Sequence, residues 1–263
     1  MTNLAEDAAL AADLVREAGS LAWELREAGL RVDTKSSISD VVTAADHAAE
    51  RLIVDHLATW RPDDGVLGEE GAARASASGR TWIVDPVDGT YNFVHGSTWW
   101  CSAVALVEEG DRADSGDRDV VLGAIYQPHA DTLYVGGPEL SPTRNGVAIP
   151  GVADRTLRES CVTTYLHPPF FDDETGAAFA RVVRGAATLR MLGSGSMDLT
   201  AVAQGHLGVF VQHSVAPWDW WPGSAIVRGA GGATRQLTVD GKVWSVAGAP
   251  TAVSEVCAAL EDR

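Results

Sequence analysis

Two aspartates three positions apart, Asp85 and Asp88 in TWIVDPVDGTYNFVHG (81–96), stand where this chain could do chemistry. A β run delivers Asp85, Pro86 forces an extended or turning backbone, and Asp88-Gly89-Thr90 opens a short helix. Carboxylates set across such a turn can converge on one point, as an extended strand would not allow. Hard oxygen ligands of this kind select Mg²⁺ over softer metals. Gly89 lets the backbone approach a ligand closely. The amides of Gly89, Thr90 and Tyr91 at the helix start form a cradle for a phosphate. Metal ligands and an anion site side by side are what metal-assisted phosphoryl transfer needs. A lone Asp-Gly pair would be only a turn; here strand, turn and second carboxylate coincide.

Further carboxylates could join them. Glu69 and Glu70 lie in VLGEEG, at the end of a short apolar run. Adjacent side chains on extended chain point to opposite faces, so at most one should face the site while the other stays in solvent. Asp219 lies in APWDWWPG, before a proline expected to start a helix. In isolation it reads equally well as a helix cap. A charge among Trp218, Trp220 and Trp221 is nevertheless costly unless it is paired or metal-bound.

The elements that must position these groups are legible in outline. Leu10, Leu14, Ala18, Leu21 and Leu25 mark an amphipathic helix, with Asn3 as N-cap and Gly29 as stop. A second helix is expected from Ala44 to Trp60, capped by Thr43 and closed before Pro62. RVDTKSSISD (31–40), between them, reads as a polar loop, and DRADSGDRD (111–119) as a solvated one. Strands are expected at 65–68, 81–85, 102–109, 120–128 and 132–137, forming an antiparallel meander. Beyond NGVAIPG (145–151) strands and helices alternate: strands at 161–166, 188–192 and 207–212, helices at 175–186, 197–205, 222–232 and at the end. This order suggests two lobes, an α+β unit over 1–145 and an α/β unit over 146–263.

Composition narrows the partners. The 263 residues are 46% hydrophobic and 21% charged, ordinary for a globular protein. A formal net charge of −16 argues against nucleic acid or an anionic membrane surface. It leaves room for an anionic substrate, because bound cations reverse the local field. The three cysteines, Cys101, Cys161 and Cys257, lack CxxC spacing, so neither a zinc knuckle nor a disulfide framework is expected. With acidic residues near the start and no apolar run of membrane-spanning length, the expected place is the cytoplasm.

GEE (68–70), WIVDPVDGTYNF (82–93) and PWDWWPGSAIVRGAGG (217–232) resemble, in order, the three signatures of the inositol monophosphatase family. KSSISDVVTAAD (35–46) is similar to that family's K-x-x-x-x-D-x-V-T-x-x-D segment, so the likeness spreads over nearly the whole chain. The resemblance implies a layered αβαβα sandwich, usually a homodimer, hydrolysing small phosphate monoesters with two or three Mg²⁺ and inhibited by Li⁺. It implies that Glu69 serves the first metal, shared with Asp85 and the Val87 carbonyl, and that Asp85, Asp88 and Asp219 hold the second. Thr90 and Asp46 resemble the hydroxyl–carboxylate pair beside the nucleophilic water, with Glu69 helping to orient that water. Gly89 and Thr90 resemble the phosphate-binding amides, Ser194 and Gly195 the substrate loop, and Lys35–Ser39 a flap near the metals. In such a site one ion activates water and the other stabilises the leaving oxygen.

The chain also departs from the pattern. Family members acting on inositol phosphates often carry Glu seven positions before the last metal Asp; here that position is Gln212. His213 beside it could contact substrate or be structural, and WDWWPG is bulkier than usual, narrowing the pocket or packing an interface. RPDDGVLGEE (61–70) is similar to the histidinol-phosphate phosphatase branch, whose cationic substrate suits an acidic pocket. Inositol phosphate, histidinol phosphate, 3′-phosphoadenosine 5′-phosphate and fructose 1,6-bisphosphate therefore all stay in play. Two rivals differ in kind. The haloacid-dehalogenase phosphatases use D-x-D-G-T, one residue shorter than D-x-x-D-G-T at 85–90. A metal-dependent binding protein without activity is the other.

Overall fold

A computed structural model describes residues 3–29, 32–34, 41–109 and 118–262. The Lys35–Ser39 flap and most of the 111–119 loop lie outside these residues.

The first half is helical, then β. Helix α1 (Leu4–Glu27) starts where the Asn3 side chain accepts the Ala5 amide. Strands β1 (Val32–Thr34) and β2 (Val41–Thr43) pair antiparallel, so part of the expected loop is strand. Helix α2 (Ala44–Trp60) has the expected bounds, because Thr43 and Asp46 form a reciprocal capping box. There follow β3 (Gly65–Gly68), β4 (Ala73–Arg74), β5 (Arg80–Asp88), the short helix α3 (Thr90–Val94), β6 (Cys101–Glu109), β7 (Arg118–Gln127), β8 (Thr132–Gly137), β9 (Leu140–Arg144) and β10 (Val147–Ala148). They form an eight-stranded sheet in the order β10-β9-β8-β7-β6-β5-β3-β4. It is antiparallel except between β3 and β5.

The second half contributes β11 (Cys161–Thr163), α4 (Glu174–Gly185), β12 (Thr188–Arg190), α5 (Gly195–Ala203), β13 (Val209–His213), α6 (Pro217–Gly229), β14 (Ala233–Val239), β15 (Lys242–Gly248) and α7 (Pro250–Glu261). Its five-stranded sheet runs β12-β11-β13-β15-β14, parallel across the first three strands and antiparallel beyond. Strands β14 and β15 are a hairpin at 233–248 that the sequence pattern did not signal. Helix α6 starts at Pro217 rather than Pro222, which sits inside it. Proline is favoured at a first helical position, and the earlier of the two takes it.

Alternation along the strands builds the layers. On β6, Val104 and Leu106 face the core shared with Leu14 of α1 and Ile53 of α2. Ala103 and Ala105 face the opposite side, where Leu199, Ile226 and Ala225 of α5 and α6 pack. Strand β5 is buried along its whole length because both faces are covered. Below α5 and α6 lies the second sheet, whose far face packs Val211 and Trp244 against Val182 of α4 and Val253 of α7. Five layers result: helices, sheet, helices, sheet, helices. The α5–α6 pair is the filling between the sheets. Gly123 of β7 is required there, since a Cβ would come 2.1 Å from the Pro222 carbonyl.

Candidate metal centre

The site forms where the C-terminal end of β5 meets the starts of α3, α5 and α6. Pairing of β5 with β6 slips between Asp85 and Asp88, a bulge that places both carboxylates on one side. Asp219 enters from the first turn of α6. One ligand atom each from Asp85, Asp88 and Asp219 lie within 4.8 Å of one another. Glu69, just beyond β3, lines the same cavity, which measures about 420 Å³.

Three acids this close repel unless something positive joins them. Burial, then the charges of Glu69, Asp88 and Asp219, push the Asp85 carboxyl well above the usual carboxylate range. Asp219 is raised in the same way, by burial and then by Asp88 and Glu69. Burial raises Asp88 too, opposed chiefly by its bonds from Ser196. Among the described residues no Lys or Arg lines the cavity. Asp85 spends Oδ1 on the Val87 amide at 3.1 Å, while among the described residues its buried Oδ2 has no hydrogen-bond partner. An orphaned anionic oxygen in an all-oxygen donor set fits a hard divalent cation.

Asp88 has a second task. Its Oδ1 accepts the Gly195 amide at 3.1 Å and its Oδ2 the Ser196 amide at 2.5 Å, so it caps the start of α5. Ser194 and Gly195 line the cavity as expected, yet the Gly195 amide is turned to Asp88. Gly89 has φ 93°, and a Cβ there would lie 3.1 Å from the Gly193 carbonyl. Only glycine can make that turn and leave room for the 193–195 loop. Asn92 locks the two together, donating to Trp99 O at 2.8 Å and Leu192 O at 2.7 Å. The first turn of α3 leaves the Thr90 and Tyr91 amides without helical carbonyls, beside the carboxylates.

Thr90 and Asp46 do meet: Thr90 Oγ1 lies 3.2 Å from Asp46 Oδ1 and 3.0 Å from the Val87 carbonyl. The hydroxyl proton points to one of these acceptors, leaving the oxygen lone pairs for another donor. Asp46 is buried, which pushes its carboxyl up to about 6 against the opposing bond from Thr43.

Other expectations are corrected. Glu70 does not reach solvent: its side chain is 2% exposed and lies 3.8 Å from His47. The loop after β3 folds back under α2, so both glutamates find protein. The tryptophans do not narrow the pocket; Trp220 is buried between the sheets, and Trp218 and Trp221 pack beside it. His213 is buried between Phe170 and Trp244, with ring centroids 4.7 and 5.4 Å away. It supports the wall rather than lining it. Gln212 lines the cavity with Tyr165, His167 and Asp198, and Tyr91 and Asn92 complete its rim. Sequence reasoning missed Tyr165, His167 and Asp198, which carry no motif and arrive by tertiary packing. Burial raises the Asp198 carboxyl to about 7, opposed by bonds from Thr163 and from Trp99 Nε1 at 2.9 Å.

Fold and site together define a metal-dependent phosphatase, a phosphoric monoester hydrolase acting on small phosphorylated substrates. The family model described as the inositol monophosphatase family matches residues 3–260. An inositol-1-monophosphatase of Rhizobium meliloti is 34% identical over 232 residues, 85% of this chain and 82% of that one. A fructose-1,6-bisphosphatase/inositol-1-monophosphatase of Thermotoga maritima is 32% identical over 201 residues, 76% of this chain and 73% of that one. The structure of the extragenic suppressor protein suhB from Bartonella henselae superposes with TM-score 0.83 at 26% identity, covering 96% of this chain and 97% of that one. The chain belongs to the inositol monophosphatase family.

Proposed function

We propose that this enzyme hydrolyses inositol monophosphate with Mg²⁺ held by Glu69, Asp85, Asp88, Asp219 and the Val87 carbonyl. The observation that carries this reading is the convergence of Asp85, Asp88 and Asp219 within 4.8 Å beside the amides at the start of α3. When bound, the divalent ions supply a Lewis acid for the phosphate oxygens and lower the pKa of a water. The protein does the rest. Thr90 Oγ1, donating its hydrogen bond to Asp46, accepts one from the attacking water, and Glu69 orients that water. Asp46 takes up the water's proton through the Thr90 hydroxyl as the water oxygen bonds to phosphorus and the ester P–O bond breaks, the leaving alkoxide taking a proton from solvent. The amides of Gly89, Thr90 and Tyr91 hold the phosphate in line.

The alcohol end is read by Tyr165, His167, Asp198 and Gln212. A neutral Gln212 where the family resemblance leads one to expect Glu favours a second reading, histidinol phosphate, whose cation would meet Asp198 rather than residue 212. The name of the Thermotoga relative adds fructose 1,6-bisphosphate to the candidates. The same reading makes the protein a cytoplasmic, Li⁺-sensitive homodimer with two or three Mg²⁺ per site, its two lobes meeting near residue 145. Phosphate release from inositol 1-phosphate, histidinol phosphate, fructose 1,6-bisphosphate and 3′-phosphoadenosine 5′-phosphate, compared as kcat/KM, tests it. The inositol assignment fails if another substrate wins tenfold. Trapping an aspartyl-phosphate on Asp85 would overturn the water mechanism.

A further inference from the structure

Helix α2 carries two inward carboxylates one turn apart, Asp46 and Glu50, and only Asp46 has a place in the chemistry described so far. Glu50 is 5% exposed, and no Lys or Arg is bonded to it among the described residues. Its partners are backbone amides: Oε2 accepts from Glu70 at 2.8 Å and Oε1 from Ala72 at 3.0 Å. Those amides flank the loop that holds Glu69. The loop is closed above by Gly68 N to Ala72 O at 2.8 Å, and Glu69 N is held by Val84 O at 3.1 Å. Gly68 fits the same device. A Cβ there would lie 2.2 Å from Glu50 Oε2 and 2.7 Å from its Cδ, so only glycine lets the carboxylate reach the loop. Burying an anion to tie down two loop amides is expensive, since desolvation dominates its environment. A solvent-facing loop would not need it.

We infer that Glu50 is a positioning residue for metal binding: its bidentate grip on the Glu70 and Ala72 amides fixes the direction of the Glu69 carboxylate. Helix α2 thereby sets both flanks of the water site, Thr90 through Asp46 and Glu69 through Glu50. This inference rests on the reading of Glu69 as a metal ligand.

The test measures metal binding apart from turnover. Mn²⁺ binding to the whole protein is followed by electron paramagnetic resonance in wild type, Glu50→Gln, Gly68→Ala and Glu69→Gln, alongside Tm and the Mg²⁺ dependence of the rate. Glutamine keeps the shape but presents one amide with a donor instead of an acceptor. Its Mn²⁺ affinity should fall about tenfold, the range for losing an outer-sphere partner. The Mg²⁺ concentration for half-maximal rate should rise equally. Gly68→Ala, which leaves the Glu50 charge and displaces its carboxylate, should give the same shift. A lower Tm with wild-type Mn²⁺ affinity in both variants would show a merely structural role and sink the inference. Should Glu50→Gln not fold, Gly68→Ala decides alone. If Glu69→Gln itself binds Mn²⁺ normally, the metal-ligand reading is what has failed; if it binds weakly while the other two do not, only this inference has.

Discussion

The Asp88 carboxylate accepts the Ser196 amide at 2.5 Å, so a residue of the first sheet closes the start of a helix packed on the second. The candidate metal centre is thus also a joint between the two halves of the molecule. Asp88→Asn keeps an acceptor for one amide and loses an anionic ligand. Activity should fall more than about 100-fold, since outer-sphere changes alone cost up to that. A phosphate-release assay across Mg²⁺ concentrations checks this; a variant that recovers fully at high Mg²⁺ would argue that Asp88 is chiefly a cap.

Thr90→Ala removes the hydroxyl that bridges Asp46 and the Val87 carbonyl. A kcat loss on the order of 10²-fold with little change in KM is expected for a group acting on the water. Thr90→Ser, which keeps the oxygen, should restore most of it. Equal losses in both variants would point to packing instead.

Chelation should link to stability. Removing divalent ions with EDTA leaves the clustered acids with no cation between them and should abolish activity. Adding Mg²⁺ should raise Tm, since a ligand that binds only the folded state stabilises it in proportion to RT ln(1 + [L]/Kd). A Tm unchanged between EDTA and Mg²⁺ would contradict metal binding at this joint.

Asp198 gives a pH signature away from the metal ligands. Burial pushes its folded carboxyl from the ordinary aspartate range near 4 up to about 7, so folding takes up a proton between those limits. The stability it contributes is full below about 4 and is lost as pH rises through 7. Asp198→Asn, able to accept from Trp99 and donate to Thr163, should abolish that slope. Relative to wild type its Tm should be higher at pH 8 than at pH 5, by roughly 2–4 °C for each kcal/mol removed. Parallel Tm–pH curves for the two proteins would refute this.

Gln212→Glu should raise turnover of inositol 1-phosphate relative to wild type by about tenfold, the worth of a charged acceptor for a substrate hydroxyl. An unchanged or lower ratio places Gln212 off the substrate path.

Much of the fold could be read from local chemistry. Helix α2 is legible because Thr43 and Pro62 punctuate it. The hairpin β14–β15 was not, because residues such as Arg235 and Gln236 on its half-exposed strand mask the alternation. The carboxylates of the site announced themselves through one turn, Asp85 to Thr90. Tyr165, His167 and Asp198 did not, since each sits in an unremarkable local sequence and reaches the cavity only when the second sheet docks. Glu70 was misplaced for a related reason: period-two alternation ends with β3, and the loop beyond it obeys Glu50 instead.

The distance in sequence between Asp88 and Asp219 has a consequence for biosynthesis. The nascent chain exposes Glu69, Asp85 and Asp88 long before α6 has been translated. At roughly 5–20 residues per second the interval lasts on the order of ten seconds. During that time the first sheet can form its own strand pairs, but Asp219 and the α5 amides that hold Asp88 do not yet exist. With the proposed ligand set, hydrolytic competence begins only after most of the chain has left the ribosome, and a product truncated before α6 is expected to be inert however well its first sheet folds.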